Sequence, residues 1–377
     1  MSAPVVKGWC PGAHRPMMSG DGLVVRVRPR MARLTAEQVL GLCDAAQRHG
    51  NGRLDLTNRA NLQLRGVSEQ THRQLLDDLA NLDLLDPEPG LESRRNILVQ
   101  PFYEHGDQTC RLTEILLDRL ADLPELPAKF GFAIDTGSNR VLSENSADIR
   151  LETGMSGGLI LRADGSQTGV CVSEERAIDA ALGMARWFAR HSSPELRRMR
   201  NLVRHTSLPG HWTGKPPGPL ATRSEPGFTP KGPLVGAAFG QILALALDDL
   251  IRKSGARALR ITPWRQILLE GGHSTPAPGF VTRPDDPLLT ADACSGAPIC
   301  PQAQAETQMI ARQMAGRIGG SLHVSGCTKG CARQTAASVT LVGRNGRFDL
   351  VKRGRAGDEP AMRGLTPEDL LTLTDLT

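Results

Sequence analysis

Aromatic side chains are scarce in this 377-residue chain: Phe, Trp and Tyr together make 3%, with a single Tyr. A protein that grips single-stranded nucleic acid by stacking needs many such rings, which argues against that class. Long apolar runs are missing too. The longest, Ile242 to Leu247, has six residues, against roughly 18 for a bilayer span, so no membrane partner is expected. The N-terminal MSAPVVKGWCPGAHRP carries no continuous apolar stretch, so no secretory signal is expected and a cytoplasmic location is. A large surplus of one charge is also absent: 45 Lys+Arg against 40 Asp+Glu leaves +5, too little to indicate a nucleic-acid partner. Lysine is rare, 7 against 38 arginines, and those arginines supply planar forks suited to carboxylates. The remaining composition, 40% hydrophobic and 23% charged, is that of a globular protein. At roughly 150 residues per domain the length predicts two or three domains.

Periodicity gives a first α/β pattern. Gly22 to Arg28 alternates apolar and basic residues and predicts a strand, with Arg26 and Arg28 on one face. Thr35-Ala-Glu-Gln38 is a capping box ahead of a helix whose apolar stripe holds Val39, Leu42, Cys43 and Ala46 and which ends near Gly50. Cys43 on that stripe reads as a packed core thiol. Leu54 to Thr57 predicts a strand and Ser68 to Leu82 a helix. Strands are expected at Asn96–Phe102 and Phe130–Asp135, and a strong amphipathic helix at Ser173–His191. Pro209 to Pro233 has seven Pro and five Gly in 25 residues, a linker or long ordered loop. Beyond it, Val235 to Gly255 predicts a helix, and ALRITPWRQILLEG (258–271) echoes LDLTNRANLQLRG (54–66) at an offset of 205 residues. Two copies of one βα unit build a pseudo-twofold molecule with a natural ligand cleft between them. A helix from Pro301 to about Arg317, a strand at Leu322–Ser325, a hairpin around Asn345-Gly346 and a Thr366-capped final helix complete the reading.

The chemistry lies in four of eight cysteines. Cys294, Cys300, Cys327 and Cys331 fall within 38 residues as C-x5-C, 26 residues, then C-x3-C. In a reducing compartment such clustering points to a metal rather than to disulfides. Four thiolates suit a [4Fe–4S] cluster or an all-cysteine zinc site, but C-x5-C is wider than zinc knuckles use. Both pairs sit in Gly-rich loops where backbone N–H groups reach cluster sulfurs.

This constellation resembles the sulfite/nitrite reductase superfamily. Thr57-Asn-Arg59-Ala-Asn-Leu-Gln63 is similar to its Thr-x-Arg-x-Asn-x-Gln strand, Arg95-Asn96-Ile97 to a second Arg segment, and Leu126-Pro-Ala-Lys129-Phe130 to the segment carrying an active-site Lys. The resemblance implies an α+β, internally duplicated sulfite/nitrite reductase-like fold: ferredoxin-like half-domains and α/β cluster-binding domains about a pseudo-twofold axis. The expected division is a first ferredoxin-like half-domain at 1–88, a first α/β domain at 89–205, a linker at 206–233, a second half-domain at 234–285 and a cluster-binding α/β domain at 286–377. One position departs from the reductases: Gly131 stands where they place a second Lys.

Within the superfamily the chain resembles the precorrin-3B synthases, through Cys10-Pro-Gly-Ala-His-Arg-Pro-Met17, Ser19-Gly-Asp-Gly-Leu-Val24, Gly326-Cys-Thr-Lys-Gly-Cys-Ala332 and Leu341-Val-Gly-Arg-Asn-Gly-Arg347. That likeness implies a monooxygenase of aerobic cobalamin synthesis. Its partners would be precorrin-3A, O2 and an external electron donor. Its cofactors would be a [4Fe–4S] cluster on Cys294, Cys300, Cys327 and Cys331, and a mononuclear non-haem iron. Arg59, Arg95 and Lys129 would hold substrate carboxylates. The catalytic residues and the ligands of that iron are left open. Cys10 and His14 lie four apart, but Pro11 and Gly12 predict a turn, favouring structural or substrate-adjacent roles over iron ligation. His205 and His211 flank a Pro-Gly turn and are weaker candidates. The alternatives are a sirohaem-dependent sulfite or nitrite reductase and a non-catalytic iron–sulfur electron-transfer protein.

Overall fold

The Thr35 hydroxyl accepts the Gln38 N–H at 3.2 Å while the Gln38 side chain accepts the Thr35 N–H at 2.9 Å, so the first long helix starts where the capping box places it. The computed structural model describes residues 10–222 and 224–373; the first nine residues of the segment read for a signal lie outside the described residues. No helix among the described residues is long and apolar enough to cross a membrane.

The first repeat runs β1 (Met17–Ser19), β2 (Gly22–Val27), β3 (Arg33–Thr35), α1 (Ala36–His49), β4 (Arg53–Leu56), β5 (Leu62–Val67) and α2 (His72–Asn81). It is followed by α3 (Pro89–Arg94), β6 (Ile97–Val99), α4 (Gln108–Asp118), β7 (Phe132–Asp135), β8 (Ile149–Thr153), β9 (Leu159–Ala163), β10 (Val170–Cys171), α5 (Glu174–His191) and the single turn α6 (Met199–Leu202). The second half repeats this plan with β11 (Gly227–Thr229), β12 (Gly232–Gly236), β13 (Gln241–Leu243), α7 (Ala244–Ser254), β14 (Ala258–Ile261) and β15 (Gln266–Glu270). It ends with β16 (Ala291–Ala293), α8 (Gln308–Ala315), β17 (Leu322–Ser325), β18 (Ala337–Arg344), β19 (Arg347–Gly354), β20 (Met362–Leu365) and α9 (Pro367–Thr372).

Four five-stranded sheets result. The sheets ordered β10-β9-β8-β7-β6 and β16-β17-β18-β19-β20 share one topology, three parallel strands and then two antiparallel ones. The other two exchange an edge. Strand β13 of the second repeat pairs with β4 (Ile242 opposite Leu54), and β3 of the first pairs with β14 (Leu34 opposite Leu259). Backbone detail is duplicated as well. Met31 and Phe239 take φ 56° and 59°, Ala60 and Arg265 φ 52° and 60°, and Gly66 and Gly271 φ 69° and 70°. Left-handed non-glycine residues are uncommon, so their recurrence at matching turns marks one motif used twice. Helices α1 and α7 close a shared core, in which Val39, Leu42, Leu247 and Ile251 are almost wholly buried, each such side chain contributing about 1.5–3 kcal/mol. Cys43 packs in that core, where burial pushes its thiol up to about 12.

Two expectations need correction. Val235–Gly255 is not one helix: its first part is the end of β12, a tight turn at Phe239 and β13, and α7 starts only at Ala244. Small and apolar residues there satisfy a buried strand as well as a helix, and the pairing of β12 with β15 and β13 with β4 decides it. The helix expected from Pro301 begins at Gln308, because residues 301–307 wrap the cysteine loops; the Gln304 N–H donates to the Gly326 carbonyl at 2.7 Å. The Pro/Gly-rich stretch takes the second of its two expected forms, a long ordered loop. It bridges Lys215 to Gly169, Pro217 to Gly154 and Leu220 to Arg140, and then supplies β11 and the start of β12.

Candidate functional site

Parallel neighbours β16 and β17 (Ala293 opposite Val324) end side by side, and their C-terminal ends deliver Cys294 and Cys327 into adjacent loops. The Gly326 N–H donates to Cys294 Sγ at 3.2 Å, tying the two cysteine loops together. Gly296 turns the first loop at φ 67°; a Cβ there would lie 2.6 Å from Thr307 Oγ1, which donates to the Cys294 carbonyl. The Cys300 N–H closes that turn on the Gly296 carbonyl at 2.7 Å. Partial burial raises the Cys331 thiol, Lys329 opposes the rise, and Cys294, Cys327 and Cys300 add to it, so the four sulfurs share one electrostatic neighbourhood. Among the described residues no three Cys, His, Asp or Glu side chains converge as they would around a single ion. Ser19 Oγ and the Gly20 N–H both donate to the Ile299 carbonyl, at 3.1 and 2.9 Å, docking the first cysteine loop on the β1–β2 turn.

The 10–16 loop rests on β2 and α3. Buried Glu92 accepts the N–H groups of Ala13 at 2.7 Å and His14 at 3.2 Å and pairs with Arg28. Gly12 is needed because a Cβ would stand 2.6 Å from Glu92 Oε1. The Gly12 carbonyl accepts the Arg26 N–H at 3.2 Å, and His72 Nε2 meets the Ala13 carbonyl at 2.9 Å. His14 Nε2 lies 2.7 Å from the Asp86 carbonyl, which commits that nitrogen to the backbone.

This loop holds half-buried Cys10 against three cations. Burial alone would raise its thiol; Arg26, Arg59 and Lys129 together hold it below the ordinary cysteine value. Arg59, in the turn after β4, donates Nη2 to the Lys129 carbonyl at 2.8 Å. Its guanidinium is pushed down by burial and by Arg198 and Arg28, against the pull of Cys10 and Asp148. Arg26 is 7% exposed, and its Nε and Nη1 have no partner among the described residues. Arg95 is buried near Arg28 and binds Asp86 Oδ2 through Nε at 3.1 Å and Nη2 at 2.7 Å. The structure thus brings Arg59 and Lys129 together, with Arg26 and Cys10 beside them, while Arg95 is held by a carboxylate of its own. His205 and His211 are exposed. At Gly131 the N–H binds Asp148 Oδ2 and a Cβ would sit 2.7 Å from the Asn96 carbonyl, so this backbone has no room for a second lysine. Glu92, Asp86 and Arg198 were not singled out from sequence; no spacing marks them, since they act through tertiary contacts.

The family model for the nitrite/sulfite reductase ferredoxin-like half domain matches residues 15–82, the stretch that forms β1 to β5, α1 and α2. A precorrin-3B synthase from Sinorhizobium sp. is 30% identical over 95% of this chain and 85% of its own. The chain belongs to the precorrin-3B synthase family. A ferredoxin–nitrite reductase from Synechococcus elongatus is 27% identical, over 36% of this chain and 28% of its own. The structure of the Mycobacterium tuberculosis NirA protein covers 93% of this chain and 79% of its own at TM-score 0.70 and 18% identity, a likeness of fold. The NirA likeness is one of fold, and the likeness in sequence to the synthase spans 95% of this chain.

Proposed function

We propose that this member of the family is an oxygen-dependent monooxygenase that converts precorrin-3A to precorrin-3B, hydroxylating the C20 meso carbon and closing a γ-lactone from the ring A acetate. The observation that carries the reading is the near full-length likeness to a precorrin-3B synthase, which the nitrite reductase match does not share. The site's charge supports it. A macrocycle rimmed with acetates and propionates needs cations on the wall that receives it, and Arg26, Arg59 and Lys129 stand there together. Arg59 would take a carboxylate on its fork, pre-oriented by the bond from Nη2 to the Lys129 carbonyl, with the Lys129 ammonium as a point charge beside it. Arg95, fixed by Asp86, would add positive potential through the edge that the pair leaves outside.

Cys294, Cys300, Cys327 and Cys331 would hold a [4Fe–4S] cluster, and the Gly326 N–H would lower the charge on one of its sulfur ligands. When bound, such a cluster supplies electrons one at a time from an external donor. A mononuclear iron, also implied by the resemblance, meets no converging donor set among the described residues, so the reading gives it no ligands.

Anaerobic incubation with precorrin-3A and a chemical reductant that supplies two electrons per turnover, followed by 18O2, tests the proposal; one 18O is expected in a hydroxylactone by mass analysis, the other leaving as water. Sirohaem bound tightly in the purified protein, or no oxygen gained, would sink it. Arg59→Ala and Lys129→Ala should each raise KM by about tenfold, the equivalent of about 1.4 kcal/mol. Unchanged KM in both would remove them from the site.

A further inference from the structure

Cys10 differs from the other cysteines outside the cluster set. Cys43 and Cys110 are buried with their thiols pushed up, and Cys171 is exposed on the edge strand β10. Cys10 is half-buried, with its loop fixed by Glu92 and by the Gly12 carbonyl on β2. Facing it are Arg26 from β2, Arg59 from the turn after β4 and Lys129 from the segment ahead of β7; the acids acting on these cations are Glu92, which Arg28 and two backbone N–H groups already occupy, and Asp148, which pairs with Arg198. Arg26 is the independent observation. A guanidinium 7% exposed, with Nε and Nη1 unpartnered among the described residues, is a buried charge that needs an anion. The anion this chain places against it is the sulfur of Cys10.

We propose that Cys10 is a reactive thiolate set against Arg26, Arg59 and Lys129, open to capture by soft electrophiles and shielded when a polycarboxylate macrocycle sits on Arg59 and Lys129. The shielding half rests on the proposed function; the thiolate half stands without it. With iodoacetamide the step is a displacement: the sulfur lone pair attacks the CH2 carbon, a C–S bond forms and iodide leaves, with no change of oxidation state elsewhere. Thiolate fraction sets the rate of this reaction, and nearby cations raise that fraction at neutral pH.

The experiment is time-resolved labelling of the full-length protein with iodoacetamide across a pH series, each cysteine peptide quantified by mass spectrometry. Cys10 should reach its plateau rate at a lower pH than free cysteine does. Lys129→Gln and Arg26→Gln should both move that profile upward and slow labelling at neutral pH by about threefold or more. Because Arg26 is buried and its variant can misfold, the exposed Lys129 supplies the second reading. A profile matching free cysteine, or one unmoved by Lys129→Gln, overturns the thiolate. Uroporphyrin, an octacarboxylate tetrapyrrole, at ten times its Kd should slow Cys10 labelling by about tenfold. A low-pH profile that uroporphyrin leaves untouched overturns the shielding, and with it the seat on Arg59 and Lys129, while the thiolate stands.

Discussion

Glu92 is the residue whose loss should loosen the site without touching a ligand. Its carboxylate is 5% exposed and serves three partners at once: Arg28 and the N–H groups of Ala13 and His14. Glu92→Ala leaves the Arg28 guanidinium buried without its counter-charge, and breaking such a pair costs about 3–5 kcal/mol. Two backbone donors also lose a charged acceptor, at about 1.5–3 kcal/mol each, although the terms overlap because water enters the space left behind. The Arg28 cost falls on the whole fold, because opening the loop does not part Arg28 from Glu92; the loop over residues 10–16 loses only the two N–H bonds, about 3 kcal/mol at their low end, against local opening. At tenfold per 1.4 kcal/mol, its amides should then exchange hydrogen about a hundredfold faster. Glu92→Gln keeps an acceptor for Ala13 and the shape under Gly12 but not the charge, so a smaller acceleration of about tenfold is expected. Hydrogen exchange followed by peptide mass analysis reads both variants, with the β18–β19 hairpin as an internal control. Unchanged exchange at Ala13 and His14 in Glu92→Ala would refute the claim that Glu92 anchors this loop.

Two pH responses and one packing response follow from particular residues. The Arg33 side chain, with Arg260 behind it, holds Glu270 down to about 2. A depressed folded value means that this stability is fully present above the unfolded value near 4.5 and is lost as pH falls toward 2. Glu270→Gln should therefore flatten acid unfolding within that window, measured by circular dichroism; an identical acid limb would contradict the linkage. His323 is fully buried, with both ring nitrogens unpartnered among the described residues, and burial pushes it down to about 4. The unfolded chain takes the proton first, so this group costs stability as pH drops from about 6.5 to about 4. His323→Leu should lessen that loss in urea titrations at the two pH values, and an equal loss would exclude His323 as its source. Gly131→Ala forces a Cβ to within 2.7 Å of the Asn96 carbonyl and should lower stability by about 1–3 kcal/mol; an unchanged melting temperature would show that the backbone yields freely there.

Much of the fold was legible because local chemistry and tertiary demand agree. The Thr35 box, the α1 stripe, the turn at Asn345-Gly346 (φ 51° and 77°) and the Thr366 cap all form as read. Legibility failed where small apolar residues satisfy two structures at once, as at Val235–Leu243, where only pairing across the molecule selects the strand. The site divides in the same way. The cysteine spacing names four residues from sequence because ligand count and loop glycines are local features. Cys10 with His14 stood out through a motif, but its setting among Arg26, Arg59 and Lys129 comes from three separate elements. Arg95 carries the pattern of a free cation, while its engagement by Asp86, nine residues earlier, carries no sequence signal.

The edge-strand exchange binds the two repeats into one unit while their matching turns diverge. With β13 in the first sheet and β3 in the second, neither repeat completes its own sheet, so the halves fold as one unit and must keep the shared core. Their turns after β4 and β14 keep the same left-handed backbone at Ala60 and Arg265, but the side chains diverge. At the offset that pairs Thr57 with Thr262, Trp264 stands where the first repeat has Arg59; its Nε1 donates to Asn145 Oδ1 at 3.3 Å. Arg265 reaches instead toward the cysteine-bearing sheet, paired with Asp292 at 2.5 Å and sharing that carboxylate with Arg333. The turn proposed to hold a substrate carboxylate in one copy therefore joins domains in the other. Placing a guanidinium in the second turn should not create a second anion site. In Trp264→Arg the new cation would face Asn145 and the Arg265–Asp292–Arg333 network, and uroporphyrin binding measured by fluorescence titration should keep the stoichiometry of the parent. Two equivalents bound would show that the asymmetry resides in this one residue rather than in the surrounding network.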